Sequence, residues 1–94
     1  MEINSTIKKA IATYGKDIQL TVAVEELSEL IKEICKHRRG NDNLAGITEE
    51  MGDCYIILAE LQHIFGIDDK SLTTVIKEKL ARLENRLRGL GNEQ

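Results

Sequence analysis

The chain has 94 residues and a formal net charge of −3, with 31% charged residues, 3% aromatic residues and no proline. This length suits one domain with a single modest core, so one fold over residues 1–94 is expected to carry any activity. The acidic balance excludes a general attraction to nucleic acid or to an anionic membrane surface. There is no signal peptide and no apolar run near the roughly 18 residues of a membrane span, which predicts a cytoplasmic protein with reduced, buried Cys35 and Cys54.

Three turn signals divide the chain into four segments with helical periodicity. The signals are Gly15-Lys16-Asp17, Gly40-Asn41-Asp42-Asn43 and Gly66-Ile67-Asp68-Asp69. The first helix is predicted from an N-cap at Asn4 or Ser5 to Tyr14, and the second over about 17–38. The third is predicted over about 43–65 and the fourth over about 70–89, followed by a flexible tail at about 91–94.

Apolar side chains recur every three or four residues along these segments. The second helix carries them at Leu20, Ala23, Leu27, Leu30, Ile31 and Ile34, and the third at Leu44, Ile47, Met51, Cys54, Tyr55, Leu58 and Phe65. The fourth has a near-heptad seam of Leu72, Ile76, Leu80, Leu83, Leu87 and Leu90, a pattern that often packs between chains. Short connections favour antiparallel neighbours, so the predicted fold is all-α, an antiparallel four-helix arrangement completed by oligomerisation.

Two acidic pairs with the same spacing stand on the second and third helices. They occur in the segments VEELSE and TEEMGD, where Glu26 and Glu29 correspond to Glu50 and Asp53. At about 100° per residue, both pairs lie on the same flank of their apolar stripes. In an antiparallel pair that turns near Gly40, the two acidic pairs lie at equal heights. The four carboxylates are therefore expected to converge, provided that each helix rotates or a third helix closes the cluster.

Converging carboxylates repel one another. Two unit charges about 5 Å apart at an effective dielectric of about 20 repel by roughly 3 kcal/mol. Protonation would offset this repulsion, but a divalent cation is the better match because hard oxygen ligands suit Mg²⁺, Mn²⁺ or Ca²⁺. Mg²⁺ typically bridges protein carboxylates to substrate phosphates, so the pattern indicates a phosphorylated substrate. The competing interpretation is that both pairs belong to ordinary solvated helix surface.

At these residues the sequence resembles the MazG-like all-α nucleoside triphosphate pyrophosphohydrolases, whose pattern is E-x-x-E on one helix and E-x-x-D on the next. The likeness covers EELSEL, EEMGDCYIILAEL and EKLAR, from about Gln19 to Arg86. The resemblance implies a Mg²⁺-dependent enzyme, with Mn²⁺ as an alternative ion, that cleaves a nucleoside triphosphate between its α and β phosphates. It also implies a dimer or tetramer of identical chains.

The resemblance also implies roles for individual residues. It makes metal ligands of the acidic quartet, which would activate the attacking water: Glu26, Glu29, Glu50 and Asp53. The general base is one of these four or a neighbour, Glu25 or Glu49, and the sequence leaves that choice open. The preferred base and sugar of the nucleotide are open as well, because the only weak candidates for a base pocket are Tyr14 and Tyr55.

Basic residues supply candidates for binding substrate phosphate. Lys79 and Arg82 match basic positions on the last helix of the family, and Arg86 lies near the edge of the leucine seam. Surface ion pairing is an equally good explanation of these side chains. Arg38 and Arg39 are weaker candidates, because their charge also suits a helix C-terminus that binds no ligand.

Two other interpretations compete with this one. A di-iron helical bundle needs the Glu-x-x-His motif twice, and the chain has it once, at Glu60 and His63. A non-catalytic helical dimerisation module would use the seam of the fourth helix and would tolerate neutral substitutions in the acidic quartet. The enzyme hypothesis instead expects those substitutions to abolish turnover.

Overall fold

The computed structural model of the chain describes residues 3–92. It contains four helices, α1 (Ile3–Tyr14), α2 (Lys16–Arg38), α3 (Leu44–Phe65) and α4 (Asp69–Asn92). Within this range the prediction of an all-α chain interrupted at three turns is confirmed. α4 continues to Asn92, and the rest of the predicted tail lies outside the described residues. None of the described helices is both long enough and apolar enough to cross a membrane.

The turn between α3 and α4 shows why a helix ends at a glycine. Gly66 has a φ of 65°, in the left-handed region that only glycine adopts at little cost. The amide of Ile67 then donates to the carbonyl oxygen of Gln62 at 2.9 Å, which closes the end of α3. Two residues later, Asp68 Oδ1 accepts the amide of Ser71 at 2.7 Å and caps α4.

α2 and α3 make the central contact of the fold. Asn43 Nδ2 donates to the carbonyl oxygen of Glu33 at 2.8 Å, and Gly46 lies directly against the Glu33 side chain. Further along, Cys54 Sγ lies 3.8 Å from the carbonyl oxygen of Glu26. Residues near the C-terminal end of α2 thus contact residues near the N-terminal end of α3.

The buried face of α3 is rotated away from the predicted apolar stripe. Cys54, Ile57 and Glu60 are buried, whereas Met51 is 46% and Tyr55 is 72% exposed. At 100° per residue, the centre of burial lies roughly 120° around the helix from Met51. One edge of the predicted stripe, at Cys54, is therefore buried, and α3 is rotated as the convergence of the carboxylates requires.

α2 is rotated in the same sense. Ala23 is buried, while Ile31 and Ile34 from the predicted stripe are exposed. A small side chain helps to account for this choice of face, because Cys54 lets the two helices approach until its sulfur atom lies 3.8 Å from the carbonyl oxygen of Glu26. Cys35 is exposed, which corrects the expectation that both cysteines are buried.

α1 covers the other end of the α2–α3 pair through the buried side chain of Ile7. The helix begins at Ile3, so Asn4 and Ser5 lie inside it and neither is the predicted N-cap. Asn4 instead places Oδ1 3.4 Å from His63 Nε2. This contact ties α1 to the end of α3.

α4 stands apart from the other helices. Among the described residues, no Cα atom of α4 lies within 8 Å of a Cα atom of α1, α2 or α3. The radius of gyration is 17.1 Å, against about 12 Å for a compact domain of this length. The leucine seam of α4 is therefore without a partner inside one chain.

We expect Gly46 to be a restricted position. A Cβ atom there would overlap the Glu33 carboxylate, while a Cβ atom at Gly52 would meet nothing within 4 Å. Gly52→Ala should raise the free energy of unfolding by about 0.5–1 kcal/mol through helix propensity. Gly46→Ala should raise it less, because the Glu33 side chain must leave its bonds to Lys36 and Asn43. Urea unfolding measures the free energy of unfolding of both variants. In a Glu33→Ala background, Gly46→Ala and Gly52→Ala should raise it by equal amounts.

Glu60 should make stability depend on pH. It is only 5% exposed, its Oε1 has no hydrogen-bond partner, and burial raises the pKa of its carboxyl above 4.5. The folded state therefore holds this proton more tightly than the unfolded chain, and stability is lost as pH rises from 4.5 through the raised pKa. Glu60→Gln should be about 1 kcal/mol more stable than wild type at pH 8. This difference in the free energy of unfolding should vanish near pH 4. Exposed Glu78→Gln should show no such pH-dependent gap.

Candidate metal centre

Three of the four predicted carboxylates converge where α2 meets α3. One carboxylate oxygen from each of Glu26, Glu50 and Asp53 lies within 4.8 Å of the others. Glu26 and Glu50 are half-buried and Asp53 is exposed. The rotation that buries Ala23 and Cys54 is what carries these side chains into the contact.

Glu29, the fourth predicted ligand, lies at the edge of this cluster. Its side chain is exposed and does not belong to the group of three. Its charge is still close enough to raise the pKa of both Glu26 and Glu50. The structure therefore places it beside the cluster without bringing it into contact distance.

Glu26 and Asp53 share a proton-dependent contact. Burial is the largest cause of a raised pKa at Glu26, followed by a side-chain hydrogen bond to Asp53 and by the charges of Asp53, Glu50 and Glu29. Two carboxylates can share a hydrogen bond only if one of them carries a proton. Burial and this contact therefore make the protonated form of Glu26 more favourable than that of an isolated surface carboxylate.

Glu50 has an unsatisfied acceptor. Its Oε2 atom is buried and has no hydrogen-bond partner. Burial raises the pKa of Glu50 most, and the charges of Asp53, Glu29, Glu33 and Glu49 add to the effect. Buried acceptors normally find a donor or an ion. A hard divalent cation fits this set of oxygen donors, since it would satisfy Glu50 and cancel the repulsion.

Glu33 continues the acidic row of α2 but has its own partners. Lys36 Nζ lies 3.1 Å from Glu33 Oε2, and Asn43 Nδ2 lies 3.4 Å from Oε1. The hydrogen bond to Lys36 is the main reason that the pKa of Glu33 is lowered. This carboxylate is already satisfied, so Glu33 is not a candidate ligand of the neighbouring cluster.

The Cys54 thiol lies beside the three carboxylates of the cluster. Burial is the largest cause of its raised pKa, and the charges of Glu50, Asp53 and Glu26 add to it. A thiol with a raised pKa stays protonated and is a poor nucleophile and a poor ligand. Its contribution is its small size, which allows the close approach of α2.

The predicted phosphate-binding residues do not reach the cluster within one chain. Lys79, Arg82 and Arg86 lie on α4, and among the described residues no Cα atom of this helix comes within 8 Å of one in α2 or α3. Arg38 and Arg39 are exposed at the end of α2. The candidate base-pocket residues, Tyr14 and Tyr55, are both exposed.

Sequence reasoning missed the contribution of Gly46 and Asn43. Together they hold the side chain and the carbonyl group of Glu33 against α3. This contact sets the register of the two helices and places Glu26 opposite Asp53. The signal was present in the small residues at one edge of the apolar stripes, Ala23 and Cys54, and in Gly46 beside them. Glu60 and His63, the single Glu-x-x-His motif, take no part in the one metal-capable cluster among the described residues.

No family model, curated protein or solved structure matches this chain. Its function is therefore argued from the geometry of the acidic cluster and from the local resemblance of its two acidic segments. The cluster geometry by itself is compatible with a divalent cation or with a shared proton.

Metal addition should stabilise the wild-type chain. At a free Mn²⁺ or Mg²⁺ concentration about 100 times the dissociation constant, binding to the folded state adds roughly 2.7 kcal/mol, or on the order of 10 °C in thermal midpoint. Glu50→Gln should be more stable than wild type without metal, because repulsion falls, and should lose most of the metal-induced shift. Glu78→Gln on α4 is the control and should keep the metal-induced rise in thermal midpoint. An equal shift in Glu50→Gln would place the ion elsewhere.

Proposed function

We propose that the chain is a Mg²⁺-dependent nucleoside triphosphate pyrophosphohydrolase, with Mn²⁺ as an alternative ion. The observation that supports this most is the convergence of Glu26, Glu50 and Asp53 from two helices, with a buried and unpartnered oxygen on Glu50. The E-x-x-E and E-x-x-D spacing of these residues is that of the MazG-like enzymes. Glu29 would complete the set of ligands from the edge of the cluster.

The proposed reaction is hydrolysis between the α and β phosphates. A water oxygen forms a bond to the α-phosphorus, the bond from that phosphorus to the bridging oxygen breaks, and pyrophosphate leaves with the nucleoside monophosphate as the other product. A bound Mg²⁺ would screen the phosphate charge and lower the pKa of a coordinated water. A carboxylate of the cluster, or neighbouring Glu25 or Glu49, would accept the proton of the attacking water.

We also infer that α2 and α3 run antiparallel and that the functional form is a homo-oligomer. The contacts of Glu33 with Asn43 and of Glu26 with Cys54 support the first point. The isolation of α4 supports the second. If Lys79, Arg82 and Arg86 bind substrate phosphate, they do so at the cluster of another copy, since α4 does not reach the cluster of its own chain.

A non-catalytic dimerisation module is the second candidate function. The exposed leucine seam of α4 favours it, because a chain that only assembles needs such a surface and needs no metal. The two candidates differ in what they require of the acidic cluster. A module gains stability and keeps its assembly when Asp53→Asn removes a charge, whereas an enzyme keeps its fold and loses turnover.

The decisive experiment is a panel of the eight common ribo- and deoxyribonucleoside triphosphates, tested with Mg²⁺ and with Mn²⁺. Release of pyrophosphate and monophosphate should be seen for at least one substrate. Glu50→Gln and Asp53→Asn should lower that rate by about two orders of magnitude or more, with unchanged helical circular dichroism. Glu78→Gln should retain wild-type turnover. Absence of pyrophosphate with all eight substrates would refute hydrolysis of ordinary triphosphates.

A further inference from the structure

We propose that α4 packs on the outward apolar face of the α2–α3 pair of a second copy of this chain, and that two copies exchange α4 reciprocally. This proposal concerns assembly and does not depend on the chemistry of the metal centre. We call the α2–α3 surface the outer face. Its residues are Val24, Ile31, Ile34 and Cys35 of α2 and Leu44, Met51, Tyr55, Leu58 and Phe65 of α3.

The outer face is a continuous apolar surface. Its large hydrophobic residues are between 46% and 73% exposed. On both helices they lie on the same flank of the buried face, and in an antiparallel pair equal flanks fall on one side. The polar residues at Ser28, Thr48 and Gln62 that interrupt it carry no charge. Depletion of charge within an apolar patch is typical of the core of a protein interface.

The leucine seam of α4 is the second uncovered surface. Its residues from Ile76 to Leu90 are between 44% and 61% exposed. α4 has 24 residues and α3 has 22, which correspond to helices about 36 and 33 Å long. Both surfaces repeat at alternating spacings of three and four residues, which suits knobs-into-holes packing. The two surfaces therefore match in length and in period.

The accessible area indicates how much surface a partner must cover. The chain exposes 7681 Å², whereas a compact monomer of 10.6 kDa exposes about 5,500 Å². The excess is about 2,200 Å² for each copy. Permanent dimers bury about 2,000–5,000 Å² in total. Pairing of α4 with α4 alone would leave the outer face uncovered, whereas reciprocal exchange covers both surfaces.

Charge also favours α3 over a second α4 as the partner of α4. Residues 69–92 contain six Lys or Arg and three Asp or Glu, while residues 44–65 contain four Asp or Glu and no Lys or Arg. Two α4 helices side by side would bring together like net charges, and α4 against α3 brings together opposite ones. The cations Lys79, Arg82 and Arg86 lie along one flank of the seam.

The turn before α4 holds the helix in this open position. Gln62 Nε2 donates to Asp69 Oδ1 at 2.9 Å and to the carbonyl oxygen of Ile67 at 3.3 Å. These bonds, together with the Asp68 cap on Ser71, orient the start of α4 without any packing on its own α2–α3 pair. The leucine seam of α4 is thus accessible to another molecule.

The first test is sedimentation equilibrium of the full chain at micromolar concentration. Wild type should be a dimer or a higher even-numbered oligomer. Leu80→Glu with Leu83→Glu on the seam, and separately Met51→Glu with Tyr55→Glu on the outer face, should each weaken assembly by at least about 100-fold. Asn85→Glu, an exposed change on the opposite side of α4, should leave assembly intact. A monomeric wild type, or assembly that survives the outer-face variant, would overturn the proposal.

The second test uses Cys35, which is exposed on the outer face. Single cysteines are introduced on the seam at Ile76→Cys, Leu80→Cys, Leu83→Cys or Leu87→Cys, and the protein is oxidised gently. A disulfide forms only when the Cα atoms come within about 7 Å. The proposal expects a covalent dimer for at least one position and its loss in a Cys35→Ser background. Cross-links that persist without Cys35, or none at any position, would contradict α4 exchange.

Discussion

The close approach of α2 and α3 is the constraint on which the rest of this structure depends. It is made at the small residues Gly46, which lies against the Glu33 side chain, and Cys54, whose sulfur lies against the Glu26 carbonyl group. The same approach forces Glu26, Glu50 and Asp53 into one place. Packing attraction thus holds like charges together, and the repulsion must be offset locally, by a shared proton or by a bound cation.

The neighbouring polar residues limit how far this repulsion between carboxylates extends along α2 and α3. Lys36 and Asn43 satisfy Glu33, so the acidic row of α2 is neutralised at its outer end. Glu60 is buried further along α3, and its pKa is raised by burial alone, so it makes a separate contribution to pH dependence. Glu26, Glu50 and Asp53 form the set of oxygen donors that a hard cation would satisfy. A metal ion bound at this cluster would therefore be linked in free energy to the folding of the α2–α3 pair.

The rotation that creates the cluster also creates the outer face. When Cys54 and Ile57 turn inward, Met51 and Tyr55 must turn outward, because they lie on another side of the same helix. The chain then carries two uncovered apolar surfaces, the outer face and the seam of α4. A second copy that covers both would make the stability of the chain depend on its concentration. It would also bring the cations of α4 to another α2–α3 pair.

The sequence by itself determined the four helices and their turns, since these follow from local periodicity and from glycine at the helix ends. It also predicted that the two acidic pairs lie at equal heights. Periodicity shows which residues share a face, but it does not show which face packs. The tertiary structure decided that the face of Ala23 and Cys54 is buried, that Glu29 lies at the edge of the cluster and that α4 stands alone. The physical reason is that backbone approach depends on the combined size of side chains from two helices, which neither helix specifies alone.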